Sequence, residues 1–215
     1  MKLLQAALDL ESTDEALGVL EQVGEYVDII ELGTPLMIAE GCRAVSIVKE
    51  KYPDKIVFAD IKVMDGGRVV PKPAFEAGAD MVSVLCAADD HTIQAVIDLA
   101  GEYGRMVLAD MCNVKDIAGR GREVAAMGPD YLCVHVGYDV QAFGKDPIEE
   151  LKKLDGIDCK KAIAGGIKLE TFAEAVKSPA DIIISGGGIY GRKDMRAVAA
   201  KMREILDAFN RGDRL

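Results

Sequence analysis

The sequence predicts a single (β/α)8 barrel spanning residues 1–215, on three observations. Short apolar runs rich in Val and Ile alternate with amphipathic helical patterns along the whole chain, with no linker and no low-complexity segment. Such alternation implies parallel strands covered by helices. Eight of these units fit into 215 residues, the scale of a small barrel. Finally, most strand ends carry an ionisable residue or a glycine cluster, and a barrel brings all its strand ends to one mouth.

The first run is "LLQAALDL" (3–10), followed by the helical pattern "STDEALGVLEQVGEY", where Ser12 and Glu15 have capping-box spacing. The next strands are "VDIIELG" (27–33), "KIVFADIKV" (55–63) and "MVSVLCAA" (81–88). The helix after strand three is expected to start late, near Pro73, behind a loop over 66–72, because proline is tolerated only in a helix's first turn. After strand four, "DDHTIQAVIDLAGEYG" reads as a helix stopped by Gly104. The remaining strands are "MVLADMCN" (106–113), "YLCVHVG" (131–137), "KAIAGGI" (161–167) and "IIISGGGI" (182–189). The longest helical pattern, "KDMRAVAAKMREILDAFNRG", closes the chain.

An open doubly wound sheet could use the same units. The polar residues favour the barrel. Asp9, Glu31, Asp60 with Lys62, Asp110 and His135 lie near the C-terminal ends of five strands, and glycines occupy the ends of strands seven and eight. Strands lie about 4.8 Å apart, so an open sheet would scatter these groups over roughly 30 Å.

Asp60 and Lys62 are two apart and share a strand face, either as a structural ion pair or as part of a site. Asp9 and Glu31 on neighbouring strands favour the site, since crowded carboxylates repel unless a cation or a proton intervenes. An oxygen-only donor set suits Mg²⁺ better than zinc. His135, in "YLCVHVGY", is either a satisfied core histidine or a general acid/base, and its place among four acids favours the second. Asp9 and Asp110 could each orient Lys62 or a substrate hydroxyl, or satisfy nearby backbone. Gly165-Gly166 and Gly186-Gly187-Gly188 are either tight turns or a phosphate cradle at the loops after strands seven and eight. His91 reads as structural or solvated, and Cys86, Cys112 and Cys133 as small core residues.

Composition limits the partners. A net charge of −10 argues against nucleic acid and anionic membranes. No apolar run approaches eighteen residues, and "MKLLQAALDLEST" carries an acid inside its apolar run, so neither a membrane span nor a signal peptide is expected. Five scattered cysteines without zinc spacing predict a reducing, cytoplasmic setting. A phosphorylated substrate, a hard divalent metal, a lysine and a histidine together suit carbanion chemistry beside a carbonyl.

The stretches "ALD", "IIELGTPLMIAEG" and "ADIKVMDGG", the last carrying D-x-K-x-x-D as Asp60, Lys62 and Asp65, resemble the orotidine monophosphate decarboxylase superfamily. The resemblance runs from "LQAALDL" through "GGGI" and points to the branch that holds hexulose-6-phosphate synthase and 3-keto-L-gulonate 6-phosphate decarboxylase. "DMCNVKD", "VHVGYDVQAFGK" and "AIAGGIKLETF" are similar to the synthases. Decarboxylases of the branch carry a glutamate and two arginines where this chain has Asp110, Tyr138 and Gly187. The resemblance implies magnesium, or manganese in its place, on Glu31 and Asp60. It also implies a homodimer with shared active sites, in which Asp65 acts with Lys62 across the interface. The implied reaction joins formaldehyde to the phosphosugar D-ribulose 5-phosphate. The sister decarboxylation and a non-catalytic phosphosugar-binding regulator are the rival expectations, and a Schiff base on Lys62 is the rival mechanism.

Overall fold

The computed structural model describes residues 1–213. Eight parallel strands close into a barrel in chain order: β1 (Leu3–Leu8), β2 (Ile29–Leu32), β3 (Ile56–Val63), β4 (Met81–Leu85), β5 (Met106–Asp110), β6 (Tyr131–His135), β7 (Lys160–Ala164) and β8 (Ile182–Ser185). Closure is direct, since Leu3 of β1 pairs with Ile182 of β8. The expected barrel is therefore found, and the open sheet is excluded. The helices are α1 (Thr13–Val23), α2 (Thr34–Glu40), α3 (Cys42–Lys51), α4 (Lys72–Glu76), α5 (Asp90–Tyr103), α6 (Ile117–Met127), α7 (Pro147–Leu151), α8 (Leu169–Lys177), α9 (Gly187–Tyr190) and α10 (Met195–Arg211).

Strand alternation builds two apolar layers. Inside, Ala7, Ile29, Phe58, Met81, Leu108, Cys133, Ala162 and Ile182 contribute from all eight strands. Outside, the intervening residues Leu4, Ile30, Val57, Val82, Leu132 and Ile183 belong to one core with Leu20, Val48, Ile93, Phe172 and Leu206 of the helices. Burial on both faces explains why the strands read as continuous apolar runs. Burying each large side chain contributes about 1.5–3 kcal/mol, so the two layers carry most of the folding drive.

Local signals differ in how well they report. Every strand except β3 stops short of the end of its apolar run; β4 ends at Leu85 and β8 at Ser185. Beyond these ends Cys86, Ala88 and Ile189 remain buried, so apolarity there marks burial rather than strand. The Ser12 hydroxyl accepts from the Glu15 amide, 3.2 Å, but Glu15 turns to the Glu11 amide, so the capping box is only half formed. Gly104 stops α5 in the left-handed conformation. Helix α4 starts late as expected, with Pro71 as its cap and Pro73 in its first turn.

The N-terminal rim holds a repeated device. Asp28, Asp80, Asp130 and Asp181 each stand immediately before an even-numbered strand. Their carboxylates accept from the amides of Leu4, Val57, Val107 and Lys161 on the preceding strand, at 2.8, 2.9, 2.8 and 2.8 Å. Their own amides donate back to the carbonyls of the same four residues. The clamps satisfy backbone donors that the ladder leaves over at the strand starts. Lys49 and Arg105 pair with Asp80, and Arg203 pairs with Asp28.

Asp80→Ala would strand the Val57 amide and two cations at once. It should lower the unfolding free energy by about 2–3 kcal/mol in urea titrations. A loss under about 0.5 kcal/mol would mean that the rim clamp contributes little.

Candidate active site

Two residues beyond the inner layer, along each strand, lies the C-terminal mouth. Asp9 follows Ala7, Glu31 follows Ile29, Asp60 follows Phe58 and Ser83 follows Met81 in this way. So do Asp110 after Leu108 and His135 after Cys133, while on β7 and β8 the inward face continues through Ala164 and Ile184 to Gly166 and Gly186. The two-residue period of a strand thus delivers the polar ring to one place.

Lys62 is the hub of the ring. Its ammonium lies 2.8 Å from Asp60 Oδ2 and 3.1 Å from Asp110 Oδ2. His135 Nδ1 lies 2.9 Å from the same Asp110 oxygen. Asp110 Oδ1 accepts from the Cys112 amide, 2.8 Å. Asp60 also accepts from Thr34 Oγ1 on Oδ2, 2.8 Å, and from Ser83 Oγ on Oδ1, 2.6 Å. Glu31 accepts from Gln5 Nε2, 2.6 Å, deep in the barrel. Asp9 sits just past β1, its Oδ1 in the space that a side chain at Gly33 would need.

The electrostatics follow from burial and pairing. Burial works against the Lys62 ammonium, yet Asp60 and Asp110 outweigh it and hold its pKa well above the ordinary lysine value. Burial likewise disfavours the Asp110 carboxylate, but the hydrogen bond and charge of His135, with Lys62, pull it down to about 2. His135 loses by burial and gains more from Asp110, so its pKa is raised. Glu31 is pushed well up by burial and then by Asp60, and Asp9 is raised by the same two causes.

Most of the expected residues meet here. Asp60 and Lys62 touch, but not by simple alternation: Lys62 has φ +43° and the β3–β4 register shifts between Ala59 and Val63. Asp110 hydrogen-bonds Lys62, His135 and the Cys112 amide at once. The two glycine loops are tied together by Ser185 Oγ donating to the Ile167 carbonyl, 2.8 Å. Gly165 has φ +103°, and a Cβ there would lie 2.3 Å from the Val136 carbonyl oxygen, so this glycine is demanded by the turn itself. Gly187, by contrast, has open space around it and begins α9. Gly188 lies within the same helix.

Asp65 does not join the cluster of its own chain. It is exposed and accepts from the Gly66 amide, 2.7 Å. Cys112 is half-buried rather than a core residue, because it lies past the end of β5. Cys86 and Cys133 are buried as expected, all five thiols are free, and His91 is exposed against Asp89. Sequence reading missed Gln5, Thr34 and Ser83. The signal for Gln5 and Ser83 was present: each is a polar residue on the inward face of an apolar strand.

Residues 2–202 match the profile of the orotidine 5'-phosphate decarboxylase / HUMPS family. The chain belongs to this family. A 3-hexulose-6-phosphate synthase of Bacillus subtilis is 45% identical over 205 residues, 94% of this chain and 98% of that one. The crystal structure of 3-hexulose-6-phosphate synthase from Salmonella typhimurium superposes with TM-score 0.92 at 41% identity, covering 95% of this chain and 98% of that one. A 3-keto-L-gulonate-6-phosphate decarboxylase from Vibrio cholerae gives TM-score 0.85 at 30% identity, covering 97% and 98%.

Membership in this family is consistent with a divalent metal, and the donor chemistry fits one. Four carboxylates (Asp9, Glu31, Asp60 and Asp110) face one lysine and one histidine, so positive charge is short. Glu31 meets this shortage with a raised pKa, and Gln5 Oε1 beside it is buried without a hydrogen-bond partner. Among the described residues no three His, Cys, Asp or Glu side chains converge to hold a metal by themselves. Two carboxylates completed by water and substrate are the usual arrangement for a hard, magnesium-like ion.

The His135–Asp110 pair sets a testable titration in the metal-free protein. A raised histidine pKa contributes stability that is complete below about 6.5 and fades as pH rises through the folded value. In Asp110→Asn, burial and the Lys62 charge remain against the weaker pull of Asp60, and the His135 pKa should fall below about 6.5 in an NMR titration. An unchanged value would show that Asp110 does not tune the imidazole.

Proposed function

We propose that this protein is a metal-dependent aldolase, a carbon–carbon lyase, that joins formaldehyde to D-ribulose 5-phosphate to give D-arabino-hex-3-ulose 6-phosphate, reversibly. The observation that carries the reading is the continuous chain Asp60–Lys62–Asp110–His135 at the mouth, a fixed cation beside an oriented imidazole. The high identity to proteins named 3-hexulose-6-phosphate synthase supports it, against 30% for the decarboxylase, and so do Asp110, Tyr138 and Gly187. The two missing arginines leave a sugar-acid carboxylate without its forked partners.

The residues divide the chemistry. Backbone amides around Gly165, Gly166, Gly187 and Gly188 hold the phosphate, since the two loops lie side by side. His135, bound to Asp110 through Nδ1, keeps Nε2 for substrate and takes the C1 proton. The C–H electron pair passes into the enediolate, whose oxygens face the Lys62 ammonium. C1 then attacks the formaldehyde carbon, and His135 returns a proton to the new hydroxyl. Asp9 positions a substrate hydroxyl. Glu31 and Asp60 would hold a divalent cation, magnesium with manganese as its near substitute, which supplies Lewis-acid polarisation of the ketose oxygens. The held-up ammonium of Lys62 speaks against a Schiff base, which needs a free amine.

The unit of activity in this reading is a homodimer in the cytoplasm. Ile38 on α2 and Met64, Val69 and Val70 around Asp65 are exposed apolar residues, of the kind a second copy would cover. Asp65 would then reach the partner's Lys62. No helix among the described residues is long and apolar enough to cross a membrane.

Formaldehyde consumption should require ribulose 5-phosphate and Mg²⁺, and stop with EDTA. Lys62→Ala should lose at least about 10²–10³-fold in kcat; near-normal turnover would sink the assignment, and CO₂ release from 3-keto-L-gulonate 6-phosphate would replace it. Borohydride with substrate should leave Lys62 unmodified. Mixing inactive Lys62→Ala with inactive Asp65→Ala should restore up to about a quarter of wild-type activity, because half the dimers then hold one intact site of two. No recovery despite subunit exchange would confine Asp65 to its own chain.

A further inference from the structure

The β3–β4 ladder is irregular at the site. Ala59 pairs with Val82, and the next pair is Val63 with Val84. Three residues of β3 (Asp60, Ile61 and Lys62) therefore stand against the single residue Ser83. A bulge of this kind strands backbone groups and re-aims side chains. Here the stranded group is the Lys62 amide, and the re-aimed side chain is that of Lys62, held at φ +43°. Left-handed backbone is unfavourable for a lysine and persists only where its surroundings enforce it.

Ser83 is fully buried on the inward face of β4, a strand that contributes no charged group to the ring. Its hydroxyl oxygen accepts from the Lys62 amide, 2.8 Å, and donates to Asp60 Oδ1, 2.6 Å. An N–H cannot accept and an ionised carboxylate cannot donate, so the direction of both bonds is forced. One hydroxyl thus fixes the backbone of Lys62 and the carboxylate of Asp60 together. The Lys62 side chain leaves this anchor on β3 and reaches past β4 to Asp110 on β5, 3.1 Å away. The small side chain of Ser83 suits that crossing.

We propose that Ser83 is a positioning residue of the active site: it locks the β3 bulge, aims the Lys62 ammonium between Asp60 and Asp110, and orients Asp60 for metal. The inference rests on the reading of Lys62 and Asp60 given above. It assigns to β4 a part that neither the D-x-K-x-x-D motif nor the ring of charges reveals.

The test compares wild type with Ser83→Ala and Ser83→Thr, the second of which keeps the hydroxyl. Hydrogen exchange at the Lys62 amide needs neither substrate nor metal. It should speed up in Ser83→Ala while the amides of β1 and β7 keep their protection. Mn²⁺ binding to the substrate-free protein, read by EPR, should weaken about 10–100-fold. The kcat for formaldehyde and ribulose 5-phosphate should fall by about the same factor with KM little changed, because the glycine loops are untouched. Ser83→Thr should recover all three. Wild-type exchange at Lys62 in Ser83→Ala would overturn the proposal, as would faster exchange spread over the whole barrel, which marks a merely structural serine. If wild type shows no turnover, the aldolase reading fails, and exchange at Lys62 still decides the role of Ser83. Should Ser83→Thr not fold, Ser83→Ala decides by the same exchange measurement.

Discussion

The mouth of this barrel depends on one ammonium. Lys62 stands between Asp60 and Asp110, and both carboxylates are buried. Removing the cation would leave Asp60 without a countercharge and Asp110 with His135 alone in a low-dielectric site, an arrangement that proteins avoid. The same ammonium constrains the histidine, because Lys62 and His135 share one Asp110 oxygen. A displacement of Lys62 therefore changes the partner of the imidazole. The aim of Lys62 rests in turn on a backbone irregularity of β3 rather than on a regular strand.

The two ends of the barrel use aspartate for opposite purposes. At the N-terminal rim, strand starts offer backbone N–H groups, and Asp28, Asp80, Asp130 and Asp181 accept them. These carboxylates have donors on the main chain and contribute to stability. At the C-terminal rim the strands end in carbonyls, which cannot satisfy a carboxylate. Asp60 finds only side-chain donors and Asp110 adds side-chain donors to the single Cys112 amide; the groups that answer are a lysine, a histidine and hydroxyls. The charged side chains collect at the end where the backbone offers few donors.

The glycine loops show how turn geometry alone can demand a glycine at one position and not at another. Gly165 is glycine because the chain of Val136 crosses close to it, whatever the loop binds. Gly187 is free of such contacts: a Cβ there would meet nothing within 4 Å. The Ser185 hydroxyl joins the two loops, so tertiary contact holds together segments that each look like an ordinary turn.

The alternation of apolar runs determined the eight strands and their order, because burial on both faces of a parallel barrel strand leaves a continuous apolar signature. The D-x-K-x-x-D spacing and the strand-end acids marked Asp9, Glu31, Asp60, Lys62, Asp110 and His135, since a two-residue period is readable in one dimension. Strand ends were not legible, because Cys86, Ala88 and Ile189 are as buried beyond the strands as residues within them. The half-formed capping box at Ser12 was not legible either, since Glu15 had a competing amide at Glu11. Only the closed barrel decided that Asp110 serves Lys62 and His135 at once, that Ser83 and Thr34 hold Asp60, and that Asp65 stands apart from its own chain's cluster. The contacts of Asp110, Ser83 and Thr34 join strands or loops far apart in sequence, and their geometry exists only after the barrel closes and the β3 bulge turns Lys62 toward the centre.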